Sequence, residues 1–196
     1  GAIAAKQNLY VWVNYLAQKA GLKPPLKMPT PLFNMINGGL HGAGNLDFQE
    51  FHVIPASSKS FSQSLQTGVE IYLTIGEALA RRGAIHSVGN EGGYAPNLFT
   101  NADALEVLVE SIKQTPYSLG RDVFLGLDVA ANFFAKDGEY VIKDKSSPMD
   151  ENAMLEYYKS LNEQYRLAVL EDPLSEDAWG GWKKLNELLS GQLLIV

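Results

Sequence analysis

The sequence predicts an α/β fold whose later half is built on parallel strands, and three observations carry that reading. From residue 122 onward, short apolar segments alternate with amphipathic segments of helical period. The connections between them are short, so consecutive strands are expected to run parallel with right-handed crossovers. A composition of 46% hydrophobic and 19% charged residues belongs to a chain that buries a core, not to a disordered one.

Residues 2–20 are predicted to be helical, with an apolar face at Leu9, Val13, Leu16 and Ala20 and a stop at Gly21. The stretch 22–27 is a linker, because Pro24 and Pro25 fix φ and remove backbone donors. Residues 30–36 and 48–54 read as strands. The first runs into the glycine-rich loop 37–45, and Pro55 closes the second. A long helix follows, with Ser60 as N-cap and Gln63 placed to complete a capping box. Its predicted buried stripe is Phe61, Leu65, Val69, Tyr72, Ile75 and Leu79, and Gly83 ends it. Another helix starts at Thr100 or Asn101, with Leu105, Leu108, Val109 and Ile112 inward. Residues 122–128 form a strand and 136–139 a hairpin turn. Asp150 caps a helix to Tyr165, 167–171 is a strand, 175–189 is helical, and 192–196 opens one more strand.

Charge and composition exclude several classes of function. A net charge of −6 offers no electrostatic attraction to nucleic acid or to an anionic membrane. No apolar run approaches the roughly 20 residues of a membrane span. The first residues lack the basic segment and long apolar stretch of a targeting peptide. Cysteine is absent, which removes a disulfide framework, a thiolate zinc site and a cysteine nucleophile, and fits a cytoplasmic enzyme.

The candidate chemistry lies in carboxylates. The strands at 122–128 and 167–171 are apolar until their C-terminal ends, then finish on Asp128 and on Glu171-Asp172. That edge of a parallel sheet is where sites are built. Acidic residues on two consecutive strands suit a hard cation such as Mg²⁺, which takes oxygen ligands; equally, Asp128 and Asp172 suit the capping of loops or helices. The loop 37–45 lets backbone approach a ligand and presents one imidazole, His41, but lacks the lysine of a phosphate loop. The loop 89–97 sets Glu91 among glycines, either simply exposed or in contact with a substrate. Glu50 sits in an otherwise apolar strand, where a carboxylate is unfavourable unless paired or functional, and His52 on the same face is expected either to pack there or to pair with it. His86 is expected at the surface.

These segments together resemble the enolase family. The resemblance runs through 31–39, His41, Gln49-Glu50-Phe51, Ile54-Pro55, 88–97, Leu127-Asp128, 171–174 and 177–182, in order and over nearly the whole chain. It implies a partial TIM-like (β/α) barrel of the enolase type, two strands and two helices preceding regular βα units, truncated in a fifth strand. Residues 1–28 would be the remnant of an N-terminal domain and its linker, and 29–196 the first half of the barrel. The implied activity is that of a Mg²⁺-dependent lyase of glycolysis interconverting 2-phosphoglycerate and phosphoenolpyruvate. In that scheme Asp128 and Glu171 are two of three metal carboxylates. Glu91 is the acid for the leaving hydroxyl, Glu50 its catalytic partner, and His41 lies near the substrate phosphate.

Asn90 stands where the family usually has Asp, which removes a negative charge beside Glu91. The third metal carboxylate, the lysine base and further substrate contacts are expected beyond residue 196, and a serine ligand of a second Mg²⁺ before residue 1. The chain is therefore expected to be an inactive fragment of a parent that assembles as a homodimer or larger. Its open edge at 192–196 is expected to favour self-association. The alternative is a non-catalytic enolase-like scaffold or surface-binding protein, for which Asn90 is the support. A relative acting on another carboxylate substrate fits the 37–41 and 91–97 loops less well.

Overall fold

The computed structural model describes residues 1–196. In chain order the elements are α1 (Leu9–Lys19), β1 (Phe33–Asn37), β2 (Glu50–Pro55), α2 (Phe61–Arg81), α3 (Asn101–Lys113), β3 (Val123–Asp128), β4 (Ala135–Lys136), β5 (Glu139–Tyr140), α4 (Glu151–Tyr165), β6 (Leu167–Glu171), α5 (Trp179–Leu189) and β7 (Leu194–Ile195). Two 3-10 turns are present, Gly39–His41 after β1 and Ala131–Phe133 after β3. The main sheet has five strands in the order β1-β2-β3-β6-β7 and does not close on itself. The two βα units give parallel pairs, β3 with β6 and β6 with β7, as the alternation predicts. No helix is long and apolar enough to cross a membrane.

Strand direction is what gathers the site. The β2 strand is antiparallel to both β1 and β3, so its first residue, Glu50, lies where β1 and β3 end. Asn37 pairs with Glu50, Glu50 with Asp128, and Asp128 with Glu171. Residues in register across a sheet project to the same side. One row of polar side chains thus crosses four strands at one edge of an otherwise apolar sheet.

The sheet and α2–α5 enclose a single core of 35 buried residues, including Ile71 and Ile75 of α2, Leu105 and Leu108 of α3, Met154 of α4 and Leu185 of α5. Both predicted helix starts carry reciprocal caps: Ser60 with Gln63 at α2, and Thr100 with Asp103 at α3. Asp150 caps α4 through the Ala153 N–H at 2.8 Å. The turn at 136–139 joins β4 to β5, with both Asp137 and Gly138 at positive φ.

Several expectations are corrected. The first helix covers Leu9–Lys19 only, and it buries none of its residues: Leu9, Val13 and Leu16 are exposed, because the helix touches its own proline linker and not the core. In α2 the buried stripe is Ser64, Thr67, Gly68, Ile71, Ile75, Ala78 and Leu79, while Phe61, Leu65 and Val69 face outward. Small residues make the close contact there; a Cβ on Gly68 would stand 2.9 Å from the Phe33 ring. The last helix begins at Trp179, not 175, since residues 175–178 form the preceding turn. The final strand is limited to Leu194–Ile195.

Candidate active site

Two loops bring further groups to the polar row. The one carrying Glu91 is stitched to β1 by its far end: the Asn37 N–H donates to the Tyr94 carbonyl at 2.7 Å, and the Tyr94 N–H to the Met35 carbonyl at 2.9 Å. From the other side, Tyr72 of α2 stacks on Tyr94 with ring centroids 4.4 Å apart and donates its hydroxyl to the Gly92 carbonyl at 2.8 Å. The loop after β1 is held at its root, with Gly38 N–H on the Gln49 carbonyl and Gly39 N–H on the Leu46 carbonyl. Its 3-10 turn presents His41.

These placements join three of the five predicted site residues. His41 Nδ1 lies 3.1 Å from Glu91 Oε2 and 3.4 Å from Glu50 Oε1. The donor atoms of His41, Glu50 and Glu91 all fall within 4.8 Å of one another. Glu50 is the more enclosed carboxylate, 18% exposed against 46% for Glu91. Its other oxygen accepts from His52 Nε2 at 2.9 Å, one of the two roles expected of His52 on their shared face. His52 is itself buried, with Nδ1 unpartnered.

The environments of the two glutamates push them apart. The hydrogen bond from His52 holds Glu50 down at about 2, with burial opposing it and Glu91 and His41 adding to it. Contact with the ionised Glu50 carboxylate raises Glu91, helped by desolvation and only partly offset by His41. One carboxyl of the pair is kept as the base form and the other is biased to carry the proton. Two titratable groups driven in opposite directions are the usual sign of assigned acid and base roles.

Asp128 and Glu171 form the second pair, side by side at the ends of parallel strands. Burial first, then the charges of Glu171 and Glu50, push Asp128 up to about 6, against a stabilising contact from Gln49. Gln49 Nε2 donates to Asp128 Oδ2 at 3.0 Å, and Asp128 Oδ1 accepts from the Ala130 N–H at 3.1 Å. Asp128 therefore does cap its own loop, and it also crowds against like charge. An all-oxygen, like-charged pair of this kind suits a hard divalent cation, which would relieve the repulsion. No third His, Asp or Glu closes around these two within the span that joins the His41 group. Asp172, the other acidic strand end, takes a left-handed conformation at φ 45 and lines a cleft with Phe133 and Trp179 instead. His86 is exposed, as expected.

Sequence reasoning missed Asn37 and Asn101. Each is an almost fully buried amide, at 1% and 0% exposure. Asn37 ends an apolar strand and Asn101 opens a helix, positions where Asn passes for turn or cap chemistry. The available signal was two amides, Asn34 and Asn37, in one short, otherwise apolar strand. Compared with known protein families, residues 25–196 match the family described as "Enolase, C-terminal TIM barrel domain".

Proposed function

Since the chain belongs to the enolase C-terminal TIM barrel family, we propose that its site is the general-acid and metal-binding half of an enolase that interconverts 2-phosphoglycerate and phosphoenolpyruvate. The observation that carries this reading is the pair Glu50 and Glu91, one held ionised by His52 and the other biased to hold a proton. Loss of hydroxide from carbon needs an acid, because hydroxide is a poor leaving group. Glu91 gives its proton to the leaving hydroxyl in the forward direction and takes it back from water in reverse. Glu50 keeps that proton on Glu91 until it is needed, and His41, between the two carboxylates, faces the substrate's phosphate end. Asp128 and Glu171 would hold Mg²⁺, which when bound offsets the charge that builds on the substrate carboxylate, enolase-superfamily sites being the reference example of this chemistry.

The carbon-bound proton needs a base, and the lysine assigned to it is not among residues 1–196 on this reading. Lys143 pairs with Asp47 and Lys184 with Glu151, neither of them a carboxylate of the site. The residues 1–196 alone are therefore expected to bind metal without turnover. We further propose that 1–28 lies outside the barrel proper, the family match beginning at residue 25, that the parent works in the cytoplasm, and that it assembles as a homodimer or larger.

Calorimetric titration with Mg²⁺ tests the metal assignment. Asp128→Asn and Glu171→Gln should each weaken binding by about tenfold or more. Equal affinity in both variants and the unaltered chain would overturn it. Incubation with 2-phosphoglycerate and Mg²⁺ should yield no phosphoenolpyruvate; product that disappears in Glu91→Gln would refute the expected inactivity.

A further inference from the structure

The amide of Asn37 occupies a place that neither the acid nor the metal pair explains. It is buried, at 1% exposure, and Asn34 Nδ2 donates to its Oδ1 at 2.6 Å. That bond fixes the amide's orientation, with Oδ1 on one side and Nδ2 on the other. A Cβ on Gly93 would stand 2.5 Å from Oδ1, and a Cβ on Gly89 only 2.3 Å from Nδ2. The amide is thus clasped between the two glycines that bracket Asn90, Glu91 and Gly92, with no room for a side chain at either.

The same residue reaches the other loop. A Cβ on Gly42 would lie 2.5 Å from the Asn37 carbonyl oxygen, and the hypothetical Cβ of Gly89 would also stand 3.0 Å from the His41 carbonyl. Asn37 is therefore the common contact of the loop bearing His41 and the loop bearing Glu91, and it pairs in register with Glu50. Its Nδ2 nevertheless has no hydrogen-bond partner. An unmade bond at a buried donor is unfavourable, and an apolar side chain would fill the space without it. What an apolar side chain of the same size would lack is the bond from Asn34, which fixes how the two ends of the amide meet the two glycines.

We infer that Asn37 is a positioning residue, whose side-chain amide, wedged between Gly89 and Gly93, sets the reach of Glu91 toward Glu50 and His41. This rests on the acid role proposed for Glu91. Removing the wedge lets the turn at 89–93 relax toward β1 and withdraws Glu91 from Glu50, with the core beneath left in place.

The test reads the contact between the two glutamates and needs no turnover. Carboxyl carbons of Glu are followed by NMR across a pH titration of the chain, with and without Glu50→Gln. In the Asn37-containing chain, Glu50→Gln should lower the midpoint of Glu91 toward an ordinary carboxylate. In Asn37→Ala the same substitution should leave the Glu91 midpoint where it was. Asn37→Ser replaces the alanine variant if that one does not fold. An equal displacement in both backgrounds, or none in either, would overturn the inference. A general loss of stability would not produce this background-dependent loss. An equal displacement in both backgrounds defeats only the wedge, whereas none in either also defeats the Glu50–Glu91 contact behind the acid role; the Mg²⁺ titration above is independent of both.

Discussion

Replacing Asn101 by Ala should destabilise the chain by about 2–4 kcal/mol. Asn101 is fully buried at the first position of α3. Its Oδ1 accepts from the N–H groups of Asp47 at 3.1 Å and Phe48 at 3.0 Å, and its Nδ2 donates to Asp144 Oδ1 at 3.0 Å. Alanine leaves two backbone donors without an acceptor, each worth about 1–3 kcal/mol when stranded away from water, and partial relaxation keeps the total below the simple sum. Asp144 loses less, because it retains the Asn101 N–H at 2.8 Å and the Tyr157 hydroxyl at 2.8 Å. The stranded segment leads directly into Glu50, so the change should also loosen the acid end of the site. Urea unfolding followed by circular dichroism measures it as a lower midpoint at unchanged slope. A loss under about 1 kcal/mol would show that water or a shifted side chain satisfies Asp47 and Phe48, and the reasoning would fail.

Three further outcomes are expected. Asp128 titrates near 6 in the fold against 3.8 as a free side chain, so its ionisation opposes folding. Its contribution is fully present below pH 3.8 and declines as pH rises through 6, by about 1 kcal/mol once solvent screening is allowed for. Urea midpoints at pH 4 and pH 7 should show this fall, and it should vanish in Asp128→Asn. Substituting His52 by Phe removes the donor that holds Glu50 at about 2. The Glu50 midpoint should then rise toward 4.5 by carboxyl NMR, and the part of stability that the pairing supplies above pH 4.5, lost as pH falls toward 2, should shrink. Tyr158→Phe removes a buried hydroxyl that donates to the Pro173 carbonyl at 2.6 Å. It should lower stability by about 1–2 kcal/mol and weaken Mg²⁺ binding, since that carbonyl belongs to the turn after Glu171; unaltered stability by thermal melting would argue against it.

Much of the fold was legible because local chemistry marks it. The α4 helix and the β6 strand begin and end where Asp150, Tyr165, Leu167 and Glu171 indicate. Caps, turns and prolines act within a few residues, and those are the signals a sequence carries openly. The buried face of α2 was not legible, because hydropathy weights the bulky row Phe61, Leu65 and Val69, whereas the sheet accepts the small row around Gly68. For the same reason the apolar face of α1 implied a core contact that the helix does not make. At the site, the residue types of Glu50, Glu91, Asp128 and Glu171 stood out as carboxylates in apolar or glycine-rich settings. The alternation of strands and helices already set Asp128 beside Glu171, but the meeting of Glu50 with Asp128 was not legible, since it depends on the reversal of β2 and on register. Asn37 was invisible as a wedge because its meaning lies in the missing side chains of two glycines distant in the chain.

That reversal of β2 has a kinetic side. Asn37 and Glu50 meet across a nearby turn, and Asp128 and Glu171 meet across one βα crossover. Each of those unions closes a comparatively short stretch of chain. Glu50 and Asp128 meet only after α2 and α3 have both been looped out between β2 and β3, the longest closure of the three and entropically the least favourable. The acid end and the metal end are thus separate local assemblies that come together at one seam. Amide exchange along Phe51–Val53 and Leu125–Leu127 would watch that seam open, and an opening confined to it would part proton donor from metal.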